Sequence, residues 1–201
     1  MNKIEYEFIQ HIFEKISDKN VVEIGSWMAE WQQDLSIRNM ISKRNKYIGL
    51  DMRSGPNVDV VCNSHKTPIS NHSVDIVICL NTLEHDDDPF QTMKEIRRIV
   101  KPKGLVIVSA PFNFLIHSFP NDYFRYTPES YKILGKAWTN KEIYCWGNKY
   151  VPDGCIALLS DSLIEDYNEY FVKMTKKYLG INLSSLIRRI WWEFNRSGYK
   201  L

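Results

Sequence analysis

The sequence predicts an α/β fold: a doubly wound, mostly parallel sheet with helices on both faces and a helical C-terminal extension. Three observations predict it. Short apolar runs alternate with helix-length amphipathic stretches from residue 20 to 110, the pattern of βαβ units. The run Val74-Asp75-Ile76-Val77-Ile78-Cys79-Leu80 is almost continuously apolar, as a strand covered on both faces must be. Polar residues gather just after the apolar runs, at Gly25-Ser26, Asp51, Asn63, Asn81 to His85 and Pro111 to Tyr126. In such a sheet that edge is where ligands bind.

Taken in order, Phe8, Ile9, Ile12, Phe13 and Ile16 mark an amphipathic helix over residues 3 to 16. Val21 to Gly25 reads as a strand ending at a glycine, and residues 28 to 42 as a helix through Met28, Trp31, Leu35 and Met40. Tyr47 to Asp51 and Val58 to Cys62 are two further strands, and Val74 to Leu80 is the central one. A helix follows from Pro89, with Asp88 as its N-cap. Lys101-Pro102-Lys103-Gly104 reads as a turn into a buried strand from Leu105 to Ala110. Thr127-Pro128-Glu129 opens another helix to about Gly135, and Lys141 to Trp146 is a strand. Residues 160 to 178 and 183 to 194 read as helices. The division expected is one domain over residues 1–150 and a helical extension over 151–201, packed on that domain or on a partner.

Composition narrows the function. With 26 Lys+Arg against 24 Asp+Glu the net charge is +2, which argues against nucleic-acid binding, since that needs a strong basic excess. The N-terminal Met-Asn-Lys-Ile-Glu-Tyr-Glu does not read as a secretory signal. No window reaches the roughly 18 consecutive apolar residues of a membrane span. Cys62, Cys79, Cys145 and Cys155 lie far apart with no CxxC spacing. The expectation is a reduced, cytoplasmic protein with no disulfide and no structural zinc.

Glu23-Ile24-Gly25 closes a strand at a residue that permits a sharp turn and close ligand approach. Asp51, at the end of the next strand, suits a ribose diol. The dinucleotide pattern G-x-G-x-x-G is absent, Trp27 and Glu30 standing at its later glycines. Val21 to Ser26 and Gly49-Leu50-Asp51 resemble the first two motifs of class I S-adenosylmethionine-dependent methyltransferases. The resemblance continues through Ser73 to His85, Asp88-Pro89-Phe90, Glu95 to Arg98, Lys101 to Gly104 and Val108 to Pro111. It points to the branch with Leu-Glu-His after the fourth strand and Lys-Pro-x-Gly before the fifth. The segment from His117 to Pro128 is similar to one found in bacterial members of that branch.

That resemblance implies a Rossmann-like fold and S-adenosylmethionine as cofactor. Glu23, Gly25 and Ser26 would hold its methionine end, Asp51 its ribose, and Met52 its adenine, with Cys62 and Asn63 near the adenine edge. Asn81 and Thr82 would line the cleft between cofactor and acceptor. The family's first motif usually carries two further glycines, where this chain has Trp27 and Ala29.

For the acceptor, an alcohol needs a base near its operating pH, a role that suits His117 first and His85 second. Asp122, Arg125 and Tyr126 are the candidate substrate binders, Arg125 either meeting an anionic substrate or pairing with Asp122. The acidic run Glu84 to Asp88 is set down to helix-start electrostatics, so no metal is expected. The apolar stripe with paired arginines and tryptophans over 183–194 suits docking on the domain or on a second copy, as in a homodimer, or contact with a membrane surface. The function expected is methylation, at oxygen, of a small molecule or a glycan or cell-surface polysaccharide precursor. The alternative is a partner-binding module that kept the fold and lost the cofactor loop.

Overall fold

The computed structural model describes residues 2–29, 34–117 and 121–179. The expected helix over 183–194, with Trp191 and Trp192, lies outside them. Seven strands form one sheet: β1 (Asn20–Ile24), β2 (Lys46–Asp51), β3 (Val60–Val61), β4 (Val74–Leu80), β5 (Val100–Pro111), β6 (Asn140–Gly147) and β7 (Pro152–Ser160), in the order β3-β2-β1-β4-β5-β7-β6. The pairs from β3 to β5 are parallel, and β7 runs antiparallel between β5 and β6. The helices are α1 (Lys3–Phe13), α2 (Ile37–Ile41), α3 (Pro89–Ile99), α4 (Pro128–Leu134) and α5 (Asn168–Leu179).

Alternation along the strands fills two cores, one on each face. Val22, Ile24, Val77, Cys79, Val106 and Val108 pack under α3 and α4. Val21, Ile76, Ile78, Leu80 and Ile107 pack under α1, α2 and α5. Ile96 and Ile99 of α3, and Phe8 and Ile9 of α1, are fully buried, so helical and strand periods agree on both layers. The caps follow the chemistry of their residues: Asp88 accepts from Gln91 N at 3.1 Å, and Asn2 and Glu5 form a reciprocal capping box on α1.

The structure corrects several expectations. The helix read over 28–42 is only α2 among the described residues, because its N-cap is Ser36, which accepts from Asn39 N at 3.3 Å. The strand read over 58–62 is two residues long. Lys101 to Gly104 lie inside β5 as an unpaired excursion: Val74 pairs with Val100 and Ile76 with Leu105, so β5 carries extra residues between those rungs. Residues 152–160, placed in a helical extension by the sequence reading, are β7, inside the sheet. The run Cys155 to Leu159 is apolar on every position and fully or almost fully buried, and periodicity cannot separate such a run from a buried helix. The strand expected over Lys141 to Trp146 is β6, and only its pairing with β7 lies outside that expectation. Cys145 and Cys155 share one rung of that antiparallel pair and are joined as a disulfide, against the expectation of free thiols. Cys62 and Cys79 are free.

Among the described residues no helix is long and apolar enough to cross a membrane. One buried tyrosine ties the later elements together: the Tyr131 hydroxyl on α4 donates to Cys155 O at 3.0 Å and stands 3.3 Å from Ala110 O, on β7 and β5. Replacing it, Tyr131→Phe, should cost about 1–2 kcal/mol, since those carbonyls lose a buried donor. Urea denaturation of both proteins measures this, and equal midpoints would contradict it.

Candidate functional site

Strands β1, β2, β4 and β5 end at one edge, and a cleft of about 1040 Å³ opens there. Gly25 turns the chain out of β1 at φ +78°, and a Cβ on it would lie 1.9 Å from Thr82 Oγ1. No side chain fits, so glycine is required by space as well as by backbone conformation. Gly25 N and Ser26 N both donate to Leu50 O, at 2.8 and 3.0 Å, which curls the loop over the end of β2. The loop then meets Asp51. Trp27 N donates to Asp51 Oδ2 at 3.1 Å and Arg53 N to Oδ1 at 2.9 Å, so main-chain donors fix both oxygens. Each oxygen keeps acceptor capacity for a further donor.

Trp27 takes a position the sequence left open. Its ring stacks against Arg53, 4.1 Å from guanidinium carbon to ring centroid, and its Nε1 sits over Gly55. The ring is thus seated on the β2–β3 loop, and the cleft beside Gly25 stays open. Ser26 Oγ is buried without a hydrogen-bond partner, packed against Gly49 of β2. Glu23, Gly25, Ser26, Asp51, Met52, Asn63, Asn81, Thr82, His85 and His117 all line this one cleft. Met52 is well exposed beside Asp51, and Asn63 Oδ1 accepts from His65 N at 2.7 Å. A nucleoside with a charged amino-acid tail fits such a donor and acceptor set.

Glu5 is a member of the site that the sequence reading missed. It sits on α1, almost wholly buried, and its carboxylate accepts from Ser109 Oγ at 2.6 Å, from Asn2 N at 2.9 Å and from Asn81 Nδ2 at 3.2 Å. It holds Asn81 in a left-handed backbone conformation, φ +48°. The Asn2-to-Glu5 capping-box spacing was the available signal, though only for a helix start.

Beside the cleft, residues 121–126 dock on the turn 83–85. Tyr123 N and Phe124 N donate to Glu84 O at 2.7 and 3.3 Å. The Tyr126 hydroxyl donates to Leu83 O at 2.8 Å, and Tyr126 is buried. Asp122, Arg125 and Tyr126 do not line the cleft. Arg125 grips both Asp122 oxygens, and Asp122 Oδ2 accepts from His117 N at 2.8 Å. The Arg125 guanidinium holds the Asp122 carboxyl well below the usual carboxylate range. His117 Nδ1 lies 3.2 Å from Leu115 O and 3.1 Å from Asp122 Oδ2, both acceptors, which favours the tautomer with its proton on Nδ1. His85 is anchored alike, through Nδ1 to Asn121 O, and the two rings meet edge to face at 4.7 Å. Burial, above all, pushes the His85 imidazole down, toward the neutral form.

Two groups among the described residues bring metal-ligand atoms within 4.8 Å of one another: Glu84 with His85 and His117, and His65 with Asp86 and Asp87. The sequence reading expected no metal, and it had no means of bringing His117 to Glu84.

Burial acts on the carboxyls at the edge. Glu23 is pushed up to about 7 by desolvation, against the hydrogen bond from the Tyr47 hydroxyl and the charge of Arg38. Its folded value exceeds its ordinary 4.5, so the folded protein keeps a proton that the unfolded chain releases. Stability from this group is full below about 4.5 and falls as pH rises toward about 7. Glu23→Gln, which keeps an acceptor for Tyr47, should flatten the decline of the denaturation midpoint across that window. An unchanged pH profile would contradict the assignment.

Comparison with known proteins agrees with this geometry. Residues 34–108 match the family model described as a methyltransferase domain. No curated protein matches the chain in sequence. A solved structure titled as a S-adenosylmethionine-dependent methyltransferase from Aquifex aeolicus superposes with TM-score 0.55 at 14% identity, covering 77% of this chain and 89% of its own. The CurJ carbon methyltransferase gives TM-score 0.61 at 14% identity over 81% of this chain and 54% of its own. A chain of the complex between the Haloferax volcanii Trm112 methyltransferase activator and a methyltransferase gives 0.55 at 14% identity, over 80% and 91%. The chain therefore has the fold of these methyltransferase structures, and residues 34–108 carry the match to a methyltransferase domain.

Proposed function

We propose that the protein transfers a methyl group from S-adenosylmethionine to an oxygen nucleophile of a small molecule or of a glycan or cell-surface polysaccharide precursor. One observation carries the reading: a histidine with a free Nε2 lone pair, His117, faces the same cleft as the Gly25–Asp51 edge. The cofactor supplies an electrophilic methyl group. Asp51, its oxygens aimed by main-chain donors, accepts from the ribose hydroxyls. Glu23, Gly25 and Ser26 hold the methionine end, and Met52 and Asn63 flank the adenine. Asn81 and Thr82 separate the two halves of the cleft.

His117 would accept the acceptor's proton as the S–CH3 bond of the sulfonium breaks and the new O–C bond forms, the thioether S-adenosylhomocysteine being the leaving group. Asp122 and Arg125 act through it, as positioning residues that fix the tautomer and the loop. Asn113, Asn121, Tyr123 and Phe114 line the acceptor side. Amide groups beside aromatic rings suit a ligand rich in hydroxyls with apolar faces, as a sugar is. The alternative of a module that lost its cofactor loop finds no support in Trp27, whose ring stacks on Arg53. A cytoplasmic location goes with this reading, and cell fractionation checks it.

Incubation with methyl-labelled S-adenosylmethionine and a panel of sugar nucleotides and simple alcohols tests the proposal. Label on oxygen is the expected result, and His117→Gln should lower the turnover number by about 10²–10⁴-fold with cofactor affinity unchanged. Label on carbon, or full turnover in His117→Gln, would contradict it.

A further inference from the structure

We propose that Glu84, His85 and His117 form a binding site for a divalent transition-metal ion of the zinc class, opening on the acceptor side of the cleft. The three residues offer ligand atoms within 4.8 Å of one another. Each imidazole is held as a metal ligand is usually held, with its other ring N–H spent on a backbone carbonyl. His85 Nδ1 donates to Asn121 O and His117 Nδ1 to Leu115 O, so both present Nε2 lone pairs. His85 Nε2 stands 3.9 Å from Glu84 Oε1, near the spacing of about 3.3 Å that two ligands share on one tetrahedral ion.

Glu84 is the second, independent indication. Its side chain is 1% exposed, and Oε2 is buried with no hydrogen-bond partner. The nearby cation offers no relief, because Arg125 is spent on Asp122, Leu115 O and Phe124 O. Two imidazoles and a buried carboxyl therefore gather within 4.8 Å of one another, and Glu84 Oε2 has no hydrogen-bond partner. A buried oxygen left so is costly, and a cation in the cluster relieves that cost. Mixed nitrogen and oxygen ligands select a zinc-like ion over magnesium or calcium. Three protein ligands leave a position free for a small molecule, as in catalytic rather than structural sites.

The site itself follows from the geometry. Its meaning for catalysis rests on the proposed methyl transfer: an ion here engages the Nε2 lone pair of His117, and activation of an oxygen acceptor passes from the imidazole to the ion.

Titrating chelator-treated protein with Zn²⁺ in a calorimeter, and with Co²⁺ while recording visible absorption, tests this directly. One ion per chain is expected, with the intense visible bands of a four-coordinate Co²⁺ site. Glu84→Gln and His117→Gln should each weaken binding by about tenfold or more, whereas His65→Gln, in the neighbouring cluster, should leave it unchanged. Absence of stoichiometric binding, or affinity sensitive to His65→Gln alone, would overturn the proposal. Thermal unfolding with S-adenosylmethionine on the same samples keeps the two readings apart. A cofactor shift without metal binding defeats the metal site and spares the methyltransferase reading, and metal binding without a cofactor shift does the reverse.

Discussion

Gly25 and Thr82 stand where β1 and β4 leave the sheet, and the closeness of the Gly25 backbone to the Thr82 side chain decides where the rest of the cleft can go. A Cβ at Gly25 would fall inside the Thr82 side chain, so the first loop passes directly over the end of β4. From there it folds back onto Leu50 O and presents its amides to Asp51. The chain runs from β1 outward to β2 on one side, while β4 and β5 lie on the other. The crevice between those directions is a consequence of strand order, and ligand binding at such a point is the rule for this architecture.

The cleft that results is rich in buried acidic groups. Glu5, Glu23, Asp51, Glu84 and Asp86 all line it, and all are buried or nearly so. Carboxyls are seldom taken from water without a partner, because the charged form is costly to bury. Four are met by groups of the protein: Glu5 by Asn2, Asn81 and Ser109, Glu23 by Tyr47, Asp51 by Trp27 and Arg53, and Asp86, through Oδ1, by His65 and Asp88 N. Glu84 Oε2 and Asp86 Oδ2 are not. A cleft so arranged complements a ligand that carries positive charge, as a sulfonium cofactor with an ammonium group does. The same arrangement explains why the cluster around His85 and His117 invites a cation.

Much of this was legible in the chain. The buried run from Val74 to Leu80, the glycine after β1 and the carboxylate after β2 each have a local signal, because a strand that is covered on both faces can only read as apolar. The fold followed from those signals, and they gather Gly25 and Asp51 at one strand edge. The acceptor side did not, and for physical reasons. His117 comes to His85 only because main-chain amides of Tyr123 and Phe124 dock on Glu84 O, and backbone bonds leave no mark on side-chain composition. Tyr126, read as a substrate binder, is a buried anchor for Leu83 O instead. Strand β7 escaped because a fully buried run has no polar face to set its period, and the Cys145–Cys155 rung escaped with it. Glu5 was hidden by its helix, where an acid beside Lys3, Glu7 and Gln10 reads as solvated.

The account depends most on the edge formed by Gly25, Ser26 and Asp51 being a working cofactor site. Thermal unfolding with and without S-adenosylmethionine and S-adenosylhomocysteine tests that most directly, in the native protein and in Asp51→Ala. At about 100 times the dissociation constant a ligand should add roughly 2.7 kcal/mol, a rise in melting temperature of about 5–10 °C for a chain of this size. The account predicts that rise in the native protein and its loss in Asp51→Ala. No rise at saturating ligand, or an equal rise in both proteins, would contradict it.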